Sequence, residues 1–380
     1  MCLTHNSARR RYDLGLEEDL PSITGSDTMP LSVGFIGAGN MGRSHMRCAQ
    51  TLGLNLAAVT DILPAAAEQA SRQFGIRRTY TDYRAMLKAG KDLDAVIIAT
   101  PNKFHAEHAI GCLKAGKHVF LEKPMTTSTR DADKILAAHK ASGKLLQMGM
   151  VNRFTAAVQT TRRFIAEGCC GKIYSGQAFW YRRRGIPGFG GWFTTKEFSG
   201  GGGLIDLGVH MLDVALYLMD FPKPVAVSGM TYNVWKSLDT YTYTDMWGQP
   251  TPGGKKDVDD YALGLIRFAD GQTLQLNISW ALNLGDLALE RGVRLMGDKG
   301  GVALTGMEET RIFGEQAGHL VDTIPQFAKN DPNLDEIRHF VECVQEGRPP
   351  MPTAEQGRTV QLLLEALYRS SQEGREIRLR

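Results

Sequence analysis

At 380 residues the chain is too long for one ordinary core and points to about two domains. With 43% hydrophobic residues and a formal net charge of +3, it is not a disordered chain, and nothing marks it as a nucleic-acid or membrane-surface protein. Six cysteines, at 2, 48, 112, 169, 170 and 343, include no Cys-x-x-Cys pair, and no apolar run approaches the roughly 18 residues of a membrane span. Residues 1–28 are polar and aperiodic and read as a disordered extension or a start placed too early, with Met29 the working start. Arg9, Arg10 and Arg11 look like a twin-arginine signal, but no apolar segment follows, so the expectation is a cytoplasmic chain.

Strand and helix then alternate. Strands are expected at 31–36, 56–60, 93–100, 118–121 and 145–150, as short apolar runs suited to burial on both faces. Helices are expected at 65–74, 105–115 and 130–142, and another directly after the first strand. This order predicts a parallel sheet with helices on both faces.

The first strand runs into Gly37-Ala38-Gly39-Asn40-Met41-Gly42, a G-x-G-x-x-G loop that opens a helix. In that setting Gly37 makes the tight turn, Gly39 admits a pyrophosphate against the backbone, and Gly42 lets helix and strand pack closely. The helix N-terminus offers free N–H groups to phosphate. Asp61 ends the second strand, 19 positions after Gly42, where it can accept hydrogen bonds from both ribose hydroxyls. The same carboxylate repels a 2′-phosphate, so the expected cofactor is NAD rather than NADP, although Arg43 lies within reach.

With this loop, several motifs in order resemble the Gfo/Idh/MocA family of sugar dehydrogenases. They are Thr100-Pro101-Asn102 with His105, the run from Ala115 to Val119, Glu122-Lys123-Pro124, Gly149 to Phe154, and Gly201 to Asp213. The resemblance spans residues 31–380. It implies an N-terminal Rossmann domain (29–150) and a C-terminal α+β domain (151–380) with an open, mostly antiparallel sheet. The face of that sheet would serve a homodimer or homotetramer. It also implies cofactor contacts from Thr100, Pro101, Asn102, His105, Glu122 and Lys123, and a proline at 124 that fixes the preceding Lys123, often in the cis form.

Chemistry on a nicotinamide takes place at the C-terminal ends of parallel strands, where Lys123 lies. Asp206 and His210 stand four apart on an apolar helix after the glycine run 200–203, with Asp213 on the same stripe. Buried charge is costly unless paired, so the stripe calls for an explanation. The family implies the same Lys, Asp and His as its catalytic group, with Asp206 setting the tautomer of His210 and Asp213 holding its orientation. Either Lys123 or His210 could be the immediate base. Arg153 matches a family position near the substrate, and could instead brace the crossover. His45 and His105 match positions near the cofactor, with helix or loop packing an equal alternative for both, whereas His108 and His118 read as structural. No metal-ligand cluster is expected.

After residue 151, strands are expected at 173–182, 225–235, 261–268, 273–280 and 293–296, with Asp270-Gly271 as a hairpin turn. Residues 181–193 combine three Arg, four aromatics and four Gly. Trp192 or Phe193 could stack on a sugar ring, and an Arg could fork onto hydroxyls or a carboxylate. Residues 236–256, with Tyr241, Tyr243 and Trp247, form a long connection that could serve as a lid. The reading is an NAD-dependent oxidation of a secondary ring hydroxyl of a sugar, glycoside or cyclitol. One alternative is cleavage or epimerisation of a glycoside through transient oxidation with retained NAD. Another, of a different class, is a non-catalytic sugar or dinucleotide sensor.

Overall fold

The computed structural model describes residues 30–243, 246, 248–285 and 290–379. The 1–28 extension, Met29 and Trp247 lie outside the described residues. The first sheet is built from β1 (Ser32–Ile36), β2 (Asn55–Thr60), β3 (Arg78–Tyr80), β4 (Ala95–Ile98), β5 (His118–Glu122) and β6 (Leu146–Gly149). Its order is β3-β2-β1-β4-β5-β6 and every pairing is parallel. Helices α1 (Asn40–Thr51), α2 (Pro64–Phe74), α3 (Tyr83–Ala89), α4 (His105–Lys114) and α5 (Thr129–Ser142) cover it. Strands β1 and β4 are buried along their whole length, which is why they read as unbroken apolar runs.

The chain continues through α6 (Ala156–Ala166), β7 (Ile173–Tyr181), α7 (Lys196–Ser199) and a π-helical turn at Leu204–Gly208 into α8 (Val209–Leu218). Then come β8 (Pro224–Tyr232), β9 (Tyr261–Phe268), β10 (Thr273–Ser279), β11 (Arg291–Gly297), β12 (Gly301–Thr305), β13 (Glu309–Gln316) and β14 (His319–Thr323). Helices α9 (Pro332–Glu346) and α10 (Ala354–Glu373) and the short β15 (Ile377–Arg378) complete it. The second sheet runs β14-β13-β12-β11-β7-β10-β9-β8-β15 and is antiparallel except where β10 meets β7. Strand β9 alternates buried and open positions, as expected of a sheet with one free face.

One helix crosses the division expected at residue 150. Helix α9 leaves the second half of the chain and returns to the first sheet. Its Ile337, Phe340 and Val341 are buried in one core with Val33, Phe35, Val59, Ile97 and Phe120. The helix has an amphipathic face, and the free face of that sheet is what covers it.

Among the described residues one helical stretch, Lys196–Leu218, is long and apolar enough to cross a membrane, and 89% of its apolar window is buried inside the fold. It is the central helix, packed between the second sheet and the nucleotide half. Its start is held from outside. Asp259 accepts the Gly202 N–H at 2.8 Å and the Leu204 N–H at 2.9 Å, and the Tyr368 hydroxyl donates to Asp259 at 2.7 Å. A Cβ on Gly202 would fall 2.0 Å from the Asp259 carbonyl oxygen, so only glycine lets this segment come so close.

Candidate active site

A cleft of about 1070 Å³ runs from the glycine loop to the central helix. At the loop end Gly37 has φ +100°, and a Cβ there would meet the Ala99 carbonyl oxygen at 2.4 Å. Gly42 lies under the Gly37 carbonyl and does not reach the cleft. Beside Gly39 a Cβ would meet nothing within 4 Å, and no side chain caps the start of α1. The protein thus leaves open the place and the N–H groups that a pyrophosphate takes. The Asp61 carboxylate is fixed at its strand end by the Ala38 N–H (2.8 Å) and the Leu63 N–H (2.9 Å). Arg43 is tied to the Ala38 carbonyl and the Asn40 side chain, both at 3.0 Å. These residues fit NAD.

Asn40, Met41, Thr100, Pro101, Asn102, Glu122 and Lys123 line the same cleft. Glu122 accepts a hydrogen bond from His45 at 2.7 Å and from the Lys123 N–H at 3.0 Å. Burial pushes its carboxyl up, but His45 and Lys123 outweigh burial and hold it below the usual range. His45 therefore braces Glu122 and stays out of the cleft. His105 does likewise: its ring spans the Pro124 carbonyl (2.7 Å) and the Thr100 carbonyl (2.8 Å), fully buried. The expected cofactor contact from His105 is thus corrected to a strut behind two loops that do reach the cleft.

At the other end Lys123, which precedes a cis proline, points Nζ at Asp206, 3.0 Å from Oδ1 and 3.3 Å from the backbone oxygen. The second carboxylate oxygen accepts the Trp280 indole N–H at 2.9 Å. Burial raises the Asp206 pKa, but Lys123, Arg182 and the indole together hold it below the ordinary value. His210 lines the cleft beside them, with its ring 6.0 Å from that of Trp180. Burial first, and then the Lys123 cation, drive its pKa well below 6.5, so the imidazole is neutral at neutral pH.

Two expected pairings are not made. Both Asp206 oxygens are taken by Lys123 and Trp280, so Asp206 does not set the His210 tautomer, and His210 Nδ1 is buried without a partner among the described residues. The π-helical turn after Leu204 widens the spiral and breaks the simple four-residue stripe. Asp213 does not orient His210 either. It forms a two-pronged ion pair with Arg153, at 2.8 and 2.6 Å, with both side chains buried. Arg153 also donates to Gln356 at 2.7 Å and does not line the cleft, so it braces the crossover rather than touching substrate.

Trp192 lines the cleft, with its ring 3.8 Å from that of Phe193. Sequence reasoning left out several lining residues. His108, read as structural, faces the cleft with Nδ1 3.2 Å from the Thr100 hydroxyl. Tyr83 stacks edge-on against it at 4.6 Å, from a helix with no clear periodicity. Asn333 arrives with α9, which no local signal assigns to this site. Trp180 and Arg182 lay inside a segment already singled out, but spacing alone does not say which side chains turn inward.

Two family models match: "Oxidoreductase family, NAD-binding Rossmann fold" over residues 31–150, and "GFO/IDH/MocA C-terminal domain" over 158–303. The chain is 34% identical to D-glucoside 3-dehydrogenase of Escherichia coli over 92% of its own length and 98% of that protein. It is 29% identical to an NAD(+)-dependent scyllo-inositol 2-dehydrogenase of Bacillus subtilis, over 84% of this chain and 87% of that one. Levoglucosan dehydrogenase, solved with NADH and levoglucosan, shares the fold with a TM-score of 0.79 at 24% identity, over 92% of this chain and 99% of that one. The loop, both domains and full-length likeness agree, and the chain belongs to the Gfo/Idh/MocA family of oxidoreductases, with an NAD-binding Rossmann fold.

Proposed function

We propose that this chain is an NAD-dependent dehydrogenase that oxidises a secondary ring hydroxyl of a sugar, glycoside or cyclitol. The observation that carries the reading is a single cleft with a nucleotide loop at one end and the Lys123–Asp206 pair beside a neutral His210 at the other. NAD, when bound, supplies the hydride acceptor. Gly37, Gly39, Asn40, Met41 and Asp61 would hold its adenosine and phosphates, and Thr100, Pro101, Asn102 and Glu122 the rest.

His210 takes the proton of the substrate hydroxyl, since its imidazole is neutral and has room for one. Lys123 holds the same oxygen and offsets the negative charge that develops on it. Asp206 keeps the ammonium aimed, and Trp280 keeps Asp206 in place. Trp192 offers an aromatic face to the ring. The E. coli relative acts on glucosides, which supports a glycoside substrate here. We further assign residues 29–150 with α9 to the nucleotide half and the remainder to the substrate half. The free face of the second sheet exposes Tyr232, Leu263 and Phe313, which supports self-association there, and the expected compartment is the cytoplasm.

The test is a panel of glycosides, inositols, free hexoses and sugar acids with NAD, read by NADH absorbance and product mass. The expected result is NADH formation with a product lighter by two hydrogens. An enzyme that binds NAD but forms no NADH with any member, or that releases product without net loss of hydrogen, overturns the reading.

A further inference from the structure

The three consecutive arginines after β7 go to three different places. Arg183 is exposed. Arg184 donates to the Leu282 carbonyl (3.1 Å) and the Asn283 side chain (2.7 Å), and its guanidinium lies 5.1 Å from the ring of Trp235. Arg182 alone lines the cleft. Its stem folds back over Gly185, where a Cβ would stand 2.5 Å from the Arg182 Cδ and 2.9 Å from its Cβ. Glycine at 185 is therefore what gives this arginine its path to the cleft.

The Arg182 guanidinium lies 4.9 Å from the centre of the Trp180 ring, and the His210 ring lies 6.0 Å from the same indole. Stacking uses the face of the guanidinium and leaves its in-plane N–H groups free to donate. Of those five donors, among the described residues, one makes a hydrogen bond, a long one of 3.4 Å to the Gly185 carbonyl. Burial lowers the Arg182 pKa and nearby Asp206 raises it, and an arginine stays charged in such a place. A partly buried cation with spare donors, held against an indole beside His210, can offer them to oxygen acceptors of what enters the cleft.

We infer that Arg182 is the specificity-determining residue of this site and that its planar fork holds two adjacent oxygens of the substrate. That chemistry is met by a vicinal diol of a neutral sugar ring or by the carboxylate of a sugar acid. The assignment rests on the dehydrogenase reading above and names what the substrate must carry. Lysine cannot replace it, because an ammonium is a point donor without the fork.

The experiment uses the full chain and compares wild type with Arg182→Met, Arg182→Lys and Arg183→Met. The probes are methyl glucoside, its monodeoxy analogues and methyl glucuronide. Binding to the NADH complex is read by calorimetry and turnover by NADH formation. Losing a charged hydrogen-bond pair costs about 10- to 150-fold in kcat/KM. The expected result is a loss of that size in Arg182→Met, only partly recovered by Arg182→Lys, with NAD affinity, melting temperature and Arg183→Met unchanged. One deoxy analogue, lacking the oxygen that Arg182 holds, is expected to lose no further activity in the variant. If the partner is a carboxylate, wild type prefers the glucuronide and Arg182→Met erases that preference.

An equal loss on every probe, or none, overturns the assignment. Sugar binding that depends on Arg182 without NADH formation leaves the assignment standing and sinks the dehydrogenase reading. Absence of both binding and turnover overturns both.

Discussion

Two aspartates on the central helix, Asp206 and Asp213, each meet a cation from the nucleotide half or its crossover, yet the two pairs differ in kind. Lys123 reaches Asp206 through one nitrogen at 3.0 Å, and its side chain remains 19% exposed in the cleft. Arg153 grips Asp213 with two nitrogens, and both side chains are sealed at 0% and 1% exposure. The open pair has one contact to the carboxylate, and its lysine side chain keeps part of its surface in the cleft. The sealed pair has no spare donor facing the cleft, and Gln356, Tyr217 and Phe221 surround its guanidinium. One helix thus carries an open pair and a sealed pair, and residue type and spacing do not distinguish them.

The largest effects should separate the pairs. Lys123→Met and His210→Ala are each expected to lower turnover by about 10²- to 10⁴-fold, the usual worth of a positioned acid or base. NAD affinity, measured by calorimetry, should remain. Near-normal turnover in either variant would break the comparison. Arg153→Met should do the reverse. It leaves a buried carboxylate without its partner, so stability should fall by about 3–5 kcal/mol while folded enzyme keeps its turnover. Denaturant melts of Arg153→Met and of Arg153→Met/Asp213→Leu sharpen the point, because removing both charges should restore much of the loss. If the double variant is no more stable than the single one, the ion pair is not what anchors the helix.

Much of the nucleotide half was legible. Ala95–Ile98 and its neighbours are apolar throughout because both faces are covered, and the glycine loop sits between a strand and a helix as its chemistry requires. Strand β3 was not, since three residues with a partly open face carry no period. Strands β12–β14 are not legible for a related reason: β14 is the edge strand and β13 its neighbour, both with polar, half-exposed sequences. The site divided along the same line. Lys123, Asp206 and His210 follow from local motifs, whereas the roles of Arg153 and Asp213 depend on a turn of π-helix and on a contact across 60 residues. Asn333 and the docking of α9 depend on contacts across most of the chain, which no local pattern encodes.

The glycine run before Leu204 offers a smaller effect that belongs to neither pair alone. Gly202→Ala would drive a methyl into the Asp259 backbone, with oxygen at 2.0 Å and nitrogen at 2.9 Å, where no side-chain rotation gives relief. Crowding of this kind costs about 1–3 kcal/mol. The start of the helix would shift, so the open pair should suffer more than the sealed one. The expected outcome is a modest drop in melting temperature with a larger drop in kcat. Gly53→Ala, which would meet nothing within 4 Å but has φ +70°, controls for backbone strain alone. Equal loss of kcat in both variants would show that the clamp on Gly202 has no bearing on the site.

The smallest effect is electrostatic and has a definite sign. His210 is held well below 6.5 by burial first and by Lys123 second, with Asp206 pulling the other way. The base form therefore persists as pH drops below 6.5 and is lost only as pH falls through the depressed value. The unfolded chain binds the proton sooner, so this residue costs stability below pH 6.5 and nothing well above it. Removing the ammonium in Lys123→Met takes away the second cause and leaves the first. The His210 pKa should rise toward 6.5 without reaching it, because burial remains. Arg153→Met serves as the control, since Arg153 is not among the groups acting on His210. Imidazole titration by NMR, with His210→Ala to assign the resonance, reads both variants without needing turnover. An unchanged His210 titration in Lys123→Met would mean that the ammonium does not act on the imidazole, and the two could not then share one substrate oxygen.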